Sequence, residues 1–240
     1  MAKNKMTDIE KLKEQLNKLS SYPERMKKIN LEIKGRAFFP GGKGTFANDE
    51  IISNKEIMIL GQDFDTQKKY EVAKANGGED VTKNKTWKNL LSFLEQTKIQ
   101  PENCFFTNAI MGVRLTDIAT GESPAFKDKE FIGKCQDFFL FQLQLQKPKA
   151  VFALGLQVAK FLSDTSNDLS YLKKIDKFAS IDIQNKQILE KVKFKNGIES
   201  TLVFLMHPSA RTYNLNNRQY MEMNGAEAQI KMVKDAILPQ

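Results

Sequence analysis

Histidine, cysteine and tryptophan are almost missing from this chain, with one, two and one copies in 240 residues. A single imidazole and two separated thiols, Cys104 and Cys135, cannot build a typical zinc site or a disulfide framework. The scarcity of cysteine fits a reducing cytoplasm, and no metal or organic cofactor is expected. No apolar run approaches the roughly 18 residues of a membrane span. The start, Met1 to Met6, is basic and polar without an apolar segment behind it, which argues against a secretory signal. No G-x-S-x-G elbow surrounds any serine, so an α/β-hydrolase is excluded. Gly41-Gly42-Lys43-Gly44-Thr45 lacks the long glycine spacing of a phosphate loop, and Lys43 is not followed by Ser or Thr. A monomer without membrane contact is the expectation.

Positive charge and apolar residues are plentiful. The formal net charge is +8 and the isoelectric point about 9.3. That balance favours an anionic partner, nucleic acid first, although a solvated surface explains it equally well. Hydrophobic residues make up 41% of the chain and include 17 phenylalanines, ample for a packed core. Ile9, Leu12, Leu16 and Leu19 stand at helical spacing, and a second helical pattern covers about 24–34. Residues 1–50 therefore read as an N-terminal helical extension and loop, and residues 51–240 as the main domain. There, apolar runs at 57–60, 104–107 and 150–154 alternate with helical patterns at about 86–97, 129–146 and 156–162. A hairpin is predicted from about 187 to 206 around Asn196-Gly197, and a last helix at about 218–236. Strands alternating with helices imply a three-layer α/β/α domain on a mostly parallel sheet, here expected to have four strands.

The polar residues after those runs carry the chemistry. Gly61-Gln62-Asp63 follows Ile57–Leu60, and His207-Pro208-Ser209 follows Leu202–Met206. In an open α/β sheet, ligands bind beyond the carboxyl ends of the strands. A carboxylate and the only imidazole delivered to that rim can face one pocket. The bland readings are an aspartate capping a turn and a buried, satisfied histidine.

Gly61-Gln62-Asp63, Thr107-Asn108-Ala109, Ala153-Leu154-Gly155 and His207-Pro208-Ser209 occur in the order and contexts of the uracil-DNA glycosylase superfamily. The chain resembles that superfamily over roughly residues 55–218. The resemblance implies a DNA repair enzyme that hydrolyses the N-glycosidic bond of uracil or another deaminated or damaged base, as in base excision repair. It implies Asp63 as the carboxylate supporting the sugar cation and its water, and His207 as the donor to the leaving base. Gln62, Phe64 and Asn108 would meet the base, while Ser209 and Arg211 would hold the opened duplex. In the best-known branch, the aspartate is followed by Pro and then a Tyr that blocks the thymine methyl. Phe64 and Asp65 stand here instead, so strict uracil selectivity does not carry over and Asp65 competes for the basic role. The iron–sulfur branches need four cysteines. No base-stacking aromatic can be aligned, leaving Phe64, Tyr70, Phe46 and Trp87 as candidates. Two alternatives stay open: a catalytically silent DNA-binding protein of the same fold, and a hydrolase of small nucleosides.

Overall fold

The computed structural model describes residues 6–29, 33, 35–46, 50–210 and 212–237. Its strands are β1 (Met26–Lys27), β2 (Ile57–Gly61), β3 (Cys104–Asn108), β4 (Val113–Arg114), β5 (Ala150–Leu154), β6 (Ile188–Lys193), β7 (Glu199–Leu205), β8 (Gln219–Tyr220) and β9 (Met223–Asn224). The central sheet has the order β3-β2-β5-β7-β6. Its first four strands are parallel, and β6 pairs antiparallel with β7 as one arm of the predicted hairpin. The sheet thus has five strands where four were expected, because the hairpin arm joins it as an edge.

Side chains alternate along each inner strand, and each face buries its own core. Met58, Leu60, Phe105, Val151, Ala153, Leu202 and Phe204 face one side. There they meet helix α1 (Asp8–Asn17), α4 (Lys129–Gln146) and α5 (Leu156–Leu162). Ile57, Ile59, Phe106, Phe152, Val203 and Leu205 face the other side, against α3 (Lys85–Gln96) and α8 (Gly225–Ile237). Fully burying each such side chain contributes about 1.5–3 kcal/mol. The two cysteines lie in opposite cores, and burial pushes both thiols up to about 12.

The N-terminal segment is continuous with this packing. Thr7 and Glu10 form a capping box at the start of α1, and Asp8 Oδ2 accepts the amides of Ile52 and Ser53. Phe39 bridges in parallel to Thr107, extending the sheet rim past β3. Three local expectations change. The described residues of the segment 24–34 hold a turn and β1, not a helix, because β1 pairs with β4. The polar stretch after Asp65 contains α2 (Gln67–Ala75), capped by Thr66 and buried through Tyr70 and Ala73. The last helix starts only at Gly225, after the β8–β9 hairpin.

Candidate active site

The four parallel strands point their carboxyl ends at one rim, and the motif residues lie along it. Asp63 follows β2 by two residues and His207 follows β7 by two, with β5 between them. Neighbouring strands stand about 4.8 Å apart, so the two chain exits are separated by roughly 10 Å. Gly155 ends β5 at φ 99°, a conformation suited to glycine. A Cβ placed there would touch the His207 Cβ at 3.5 Å, so the imidazole stem lies against the end of β5.

Two hydrogen bonds fix the state of His207. Its Nδ1 lies 2.7 Å from Ser209 Oγ and 3.2 Å from the Ser209 backbone nitrogen. A backbone N–H can only donate, so Nδ1 is an acceptor and the ring proton sits on Nε2. Burial holds the imidazole below its ordinary value, opposed by the Asp65 charge and aided by Lys69. His207 is therefore a neutral Nε2–H donor at pH 7. Ser209, expected to hold DNA, uses its hydroxyl here to orient the ring. Arg211 lies outside the described residues.

Asp63 and Asp65 occupy different surroundings. Asp63 Oδ2 accepts from Arg114 Nε at 2.6 Å, and both side chains are about 95% buried, with 5% and 4% exposed. Burial pushes the Asp63 carboxyl above the ordinary carboxylate range, against the opposing pull of Arg114 and hydrogen bonds from Ser123 and the Asp65 amide. Arg114 sits on β4 and also donates to the carbonyls of Ile118, Thr120 and Gly121. Gln62 Nε2 donates to the same Gly121 carbonyl at 3.0 Å. The loop 115–121 is thus clasped to the end of β2, and the Gln62 amide nitrogen is already engaged. Asp65, at φ 69°, turns outward, accepts from Lys69 and keeps a side chain 30% exposed. Its charge raises the His207 value against burial.

Asn108 ends β3 with 3% exposure, and its Nδ2 is buried without a partner. A Cβ on Gly61 would lie 2.5 Å from Asn108 Oδ1 and 3.3 Å from the Phe38 ring. Glycine at 61 therefore lets an aromatic face and an unpaired amide meet at the end of β2. Phe38 packs on Trp87 and Phe106 at centroid distances of 5.1 and 5.6 Å. An orphaned amide is costly unless a ligand fills its need. Phe64, expected at the base, is instead buried in a small cluster with Ile29, Ile33 and Tyr70. Its ring occupies the space a Cβ on Gly41 would need. Tyr70 packs on it edge-to-face, Trp87 is buried, and Phe46 lies half-buried under the Arg36 guanidinium.

Phe38, Arg114 and Glu79 escaped sequence reading. Each comes from a segment with no motif: the β1–β4 ribbon carries Arg114, the 37–46 strap carries Phe38, and the connection between α2 and α3 carries Glu79. Among the described residues, no group of three His, Cys, Asp or Glu side chains is placed to hold a metal, and no helix is long and apolar enough to cross a membrane. A family profile described as the Uracil DNA glycosylase superfamily matches residues 50–231. No curated protein matches the chain.

Proposed function

The chain belongs to the uracil DNA glycosylase superfamily, and on that premise we propose that it hydrolyses the N-glycosidic bond of uracil or another deaminated base in DNA. The observation that carries this reading is the unpartnered, buried Asn108 amide beside Phe38, on the rim that also bears Asp65 and His207.

An extruded base stacks on Phe38 and gives a carbonyl to Asn108 Nδ2. The bond from the sugar C1′ to the base nitrogen breaks, leaving its electron pair on the base. The His207 Nε2–H donates to the oxygen where that negative charge gathers. Asp65 stabilises the cationic sugar and takes a proton from the water whose oxygen joins C1′. The base departs as an anion held by the His207 hydrogen bond and takes a proton from solvent. Asp65 returns the water-derived proton to solvent, and the sugar becomes abasic. Flipping the base out costs a few kcal/mol, which stacking and the Asn108 hydrogen bond offset.

The Asp63–Arg114 pair favours a second reading, a silent DNA-binding protein, because the carboxylate matching the family motif is neutralised. One experiment separates the two. Oligonucleotides carrying uracil, hypoxanthine, xanthine or a thymine mismatch are incubated with the protein and scored for alkali-labile breaks. The proposal expects breaks with at least one substrate, slowed at least about 10²-fold by Asp65→Asn or His207→Ala. Salt-dependent binding without any break would establish the silent reading.

A further inference from the structure

Glu79 is a half-buried carboxyl that the mechanism above does not use. It lies between α2 and α3, and its amide donates to the Arg36 carbonyl at 2.7 Å. Its Oε2 accepts from Trp87 Nε1 at 2.6 Å, and its Oε1 is 3.4 Å from the amide of Asn84, which caps α3. Through the Arg36 carbonyl, the Glu79 backbone holds the chain two residues before Phe38. One residue therefore ties the strap that carries Phe38, through its backbone, to the helix that carries Trp87, through its carboxylate. A turn further along α3, Asn89 Nδ2 donates to the Pro208 carbonyl at 2.7 Å, which links the same helix to the His207 loop.

We propose that Glu79 is a positioning residue of the base pocket, holding Phe38 and Trp87 as one aromatic wall against Asn108 and keeping α3 in register with the His207 loop. The proposal rests on the glycosylase reading for the identity of the base. Its geometric part concerns the wall alone.

The charge on Glu79 sets how tightly the wall is held. A carboxylate draws the Trp87 N–H more strongly than a neutral acid does. Burial raises the group to about 6, with the Trp87 hydrogen bond, the Phe38 amide and Lys69 opposing, and the Asp65 charge adding to the rise. Asp65 and Lys69 face it from the α2 side, and Asn84 and Trp87 from α3. Arg36, Asp80 and Lys83 share with it the lining of an open groove of about 410 Å³. The wall should tighten as pH rises through about 6.

Trp87 is the only tryptophan in the sequence, so its fluorescence reports on the Glu79 bond without added probes. The full chain is titrated across this range as wild type, Glu79→Gln, Glu79→Ala and His207→Ala. Each is then mixed with a single-stranded oligonucleotide carrying one deoxyuridine. Wild type and His207→Ala should show an emission change with a midpoint near pH 6, and Glu79→Gln should be flat. At neutral pH the oligonucleotide should perturb Trp87 emission, and Glu79→Ala should weaken that binding about tenfold, the size of one lost charge-assisted hydrogen bond. Where turnover is measurable, KM should rise while kcat stays within about threefold, the pattern of lost ground-state positioning. A wild-type titration that is flat, or unchanged in Glu79→Gln, overturns the proposal. So does Glu79→Ala binding equal to wild type. Perturbed emission with no cleavage by any variant would sink the glycosylase reading and leave the aromatic wall intact.

Discussion

Asp63 and Asp65 are two residues apart, and the fold gives them opposite work. Asp63 turns inward onto Arg114, with both side chains out of water and four further acceptors and donors organised around the pair. Asp65 turns outward through a left-handed backbone, stays wet, and projects its field onto His207. The same functional group is a clasp in one setting and, in the mechanism we propose, the proton acceptor in the other. What separates them is desolvation and the partner supplied by β4, features that tripeptide spacing does not encode. A motif match names the turn; the surroundings choose which carboxylate within it is free to act.

The strongest way to break this contrast is Arg114→Ala. It leaves the buried Asp63 charge unpaired and frees the carbonyls of Ile118, Thr120 and Gly121, so stability should fall by about 3–5 kcal/mol. Denaturant midpoints at constant m-value measure it. A loss under about 1 kcal/mol would mean that the clasp does not hold the loop. The complementary change, Asp65→Asn, should cost about 10²–10⁴-fold in kcat, the usual worth of a positioned proton acceptor, while shifting stability by no more than about 0.5 kcal/mol. Single-turnover cleavage of the best substrate supplies the rate. If Asp63→Asn abolishes cleavage in a protein that stays folded and Asp65→Asn does not, the two roles are reversed.

Titration sharpens the comparison at the next scale. Burial raises Glu79 from 4.5 to about 6, so the folded state binds this proton more tightly than the unfolded chain. The stability it confers is present below 4.5 and is lost as pH rises through about 6, amounting to about 2 kcal/mol. His207 runs the other way. Its folded value is lowered, so stability is full above 6.5 and is lost as pH falls below that. Between these limits the two slopes oppose each other. Glu79→Gln should leave the His207 slope alone, with stability rising toward neutral pH. His207→Ala should leave the Glu79 slope, with stability falling. Urea unfolding at several pH values reads both, and parallel curves for the two variants would refute the assignment.

Much of the sheet was legible because its strands are short apolar runs of β-branched and aromatic residues ending in Gly or polar turns. Ile57–Leu60, Cys104–Thr107 and Ala150–Leu154 could be read in place, as could the Asn196-Gly197 hairpin. Helix α4 fell within its expected bounds because its apolar positions keep a helical spacing across five turns. Residues 24–29 misled because Met26 and Ile29, spaced for a helix face, are buried by a two-residue ribbon with β4 instead. Helix α2 was hidden by its polarity, since only Tyr70 and Ala73 are buried. At the site, Asp63, His207 and Asn108 were visible as chemistry-bearing residues at strand ends, with Asp65 as the alternative carboxylate. Phe64 was misplaced because sequence neighbours of a motif need not share its pocket, and Gly41 offers its ring a berth in the core. Phe38 and Arg114 arrive from segments about 25 and 50 residues away, and no local pattern announces such a meeting.

The finest test concerns Lys69, which pairs with Asp65 one helical turn on and is 60% exposed. An exposed pair at this spacing contributes about 0.3–0.5 kcal/mol, so Lys69→Met should scarcely move the denaturation midpoint. Its effect should appear in the pH profile instead. Lys69 lowers the His207 value by like-charge repulsion, while Asp65 raises it. Removing the lysine leaves the attraction unopposed, so the imidazole holds its proton to higher pH. The acid limb of kcat/KM should therefore move upward in Lys69→Met and downward in Asp65→Asn, the latter followed on whatever activity survives. Opposite displacements would tie both charges to one imidazole. A limb that moves in neither variant would detach His207 from this rim pair and return the carboxylate role to Asp63.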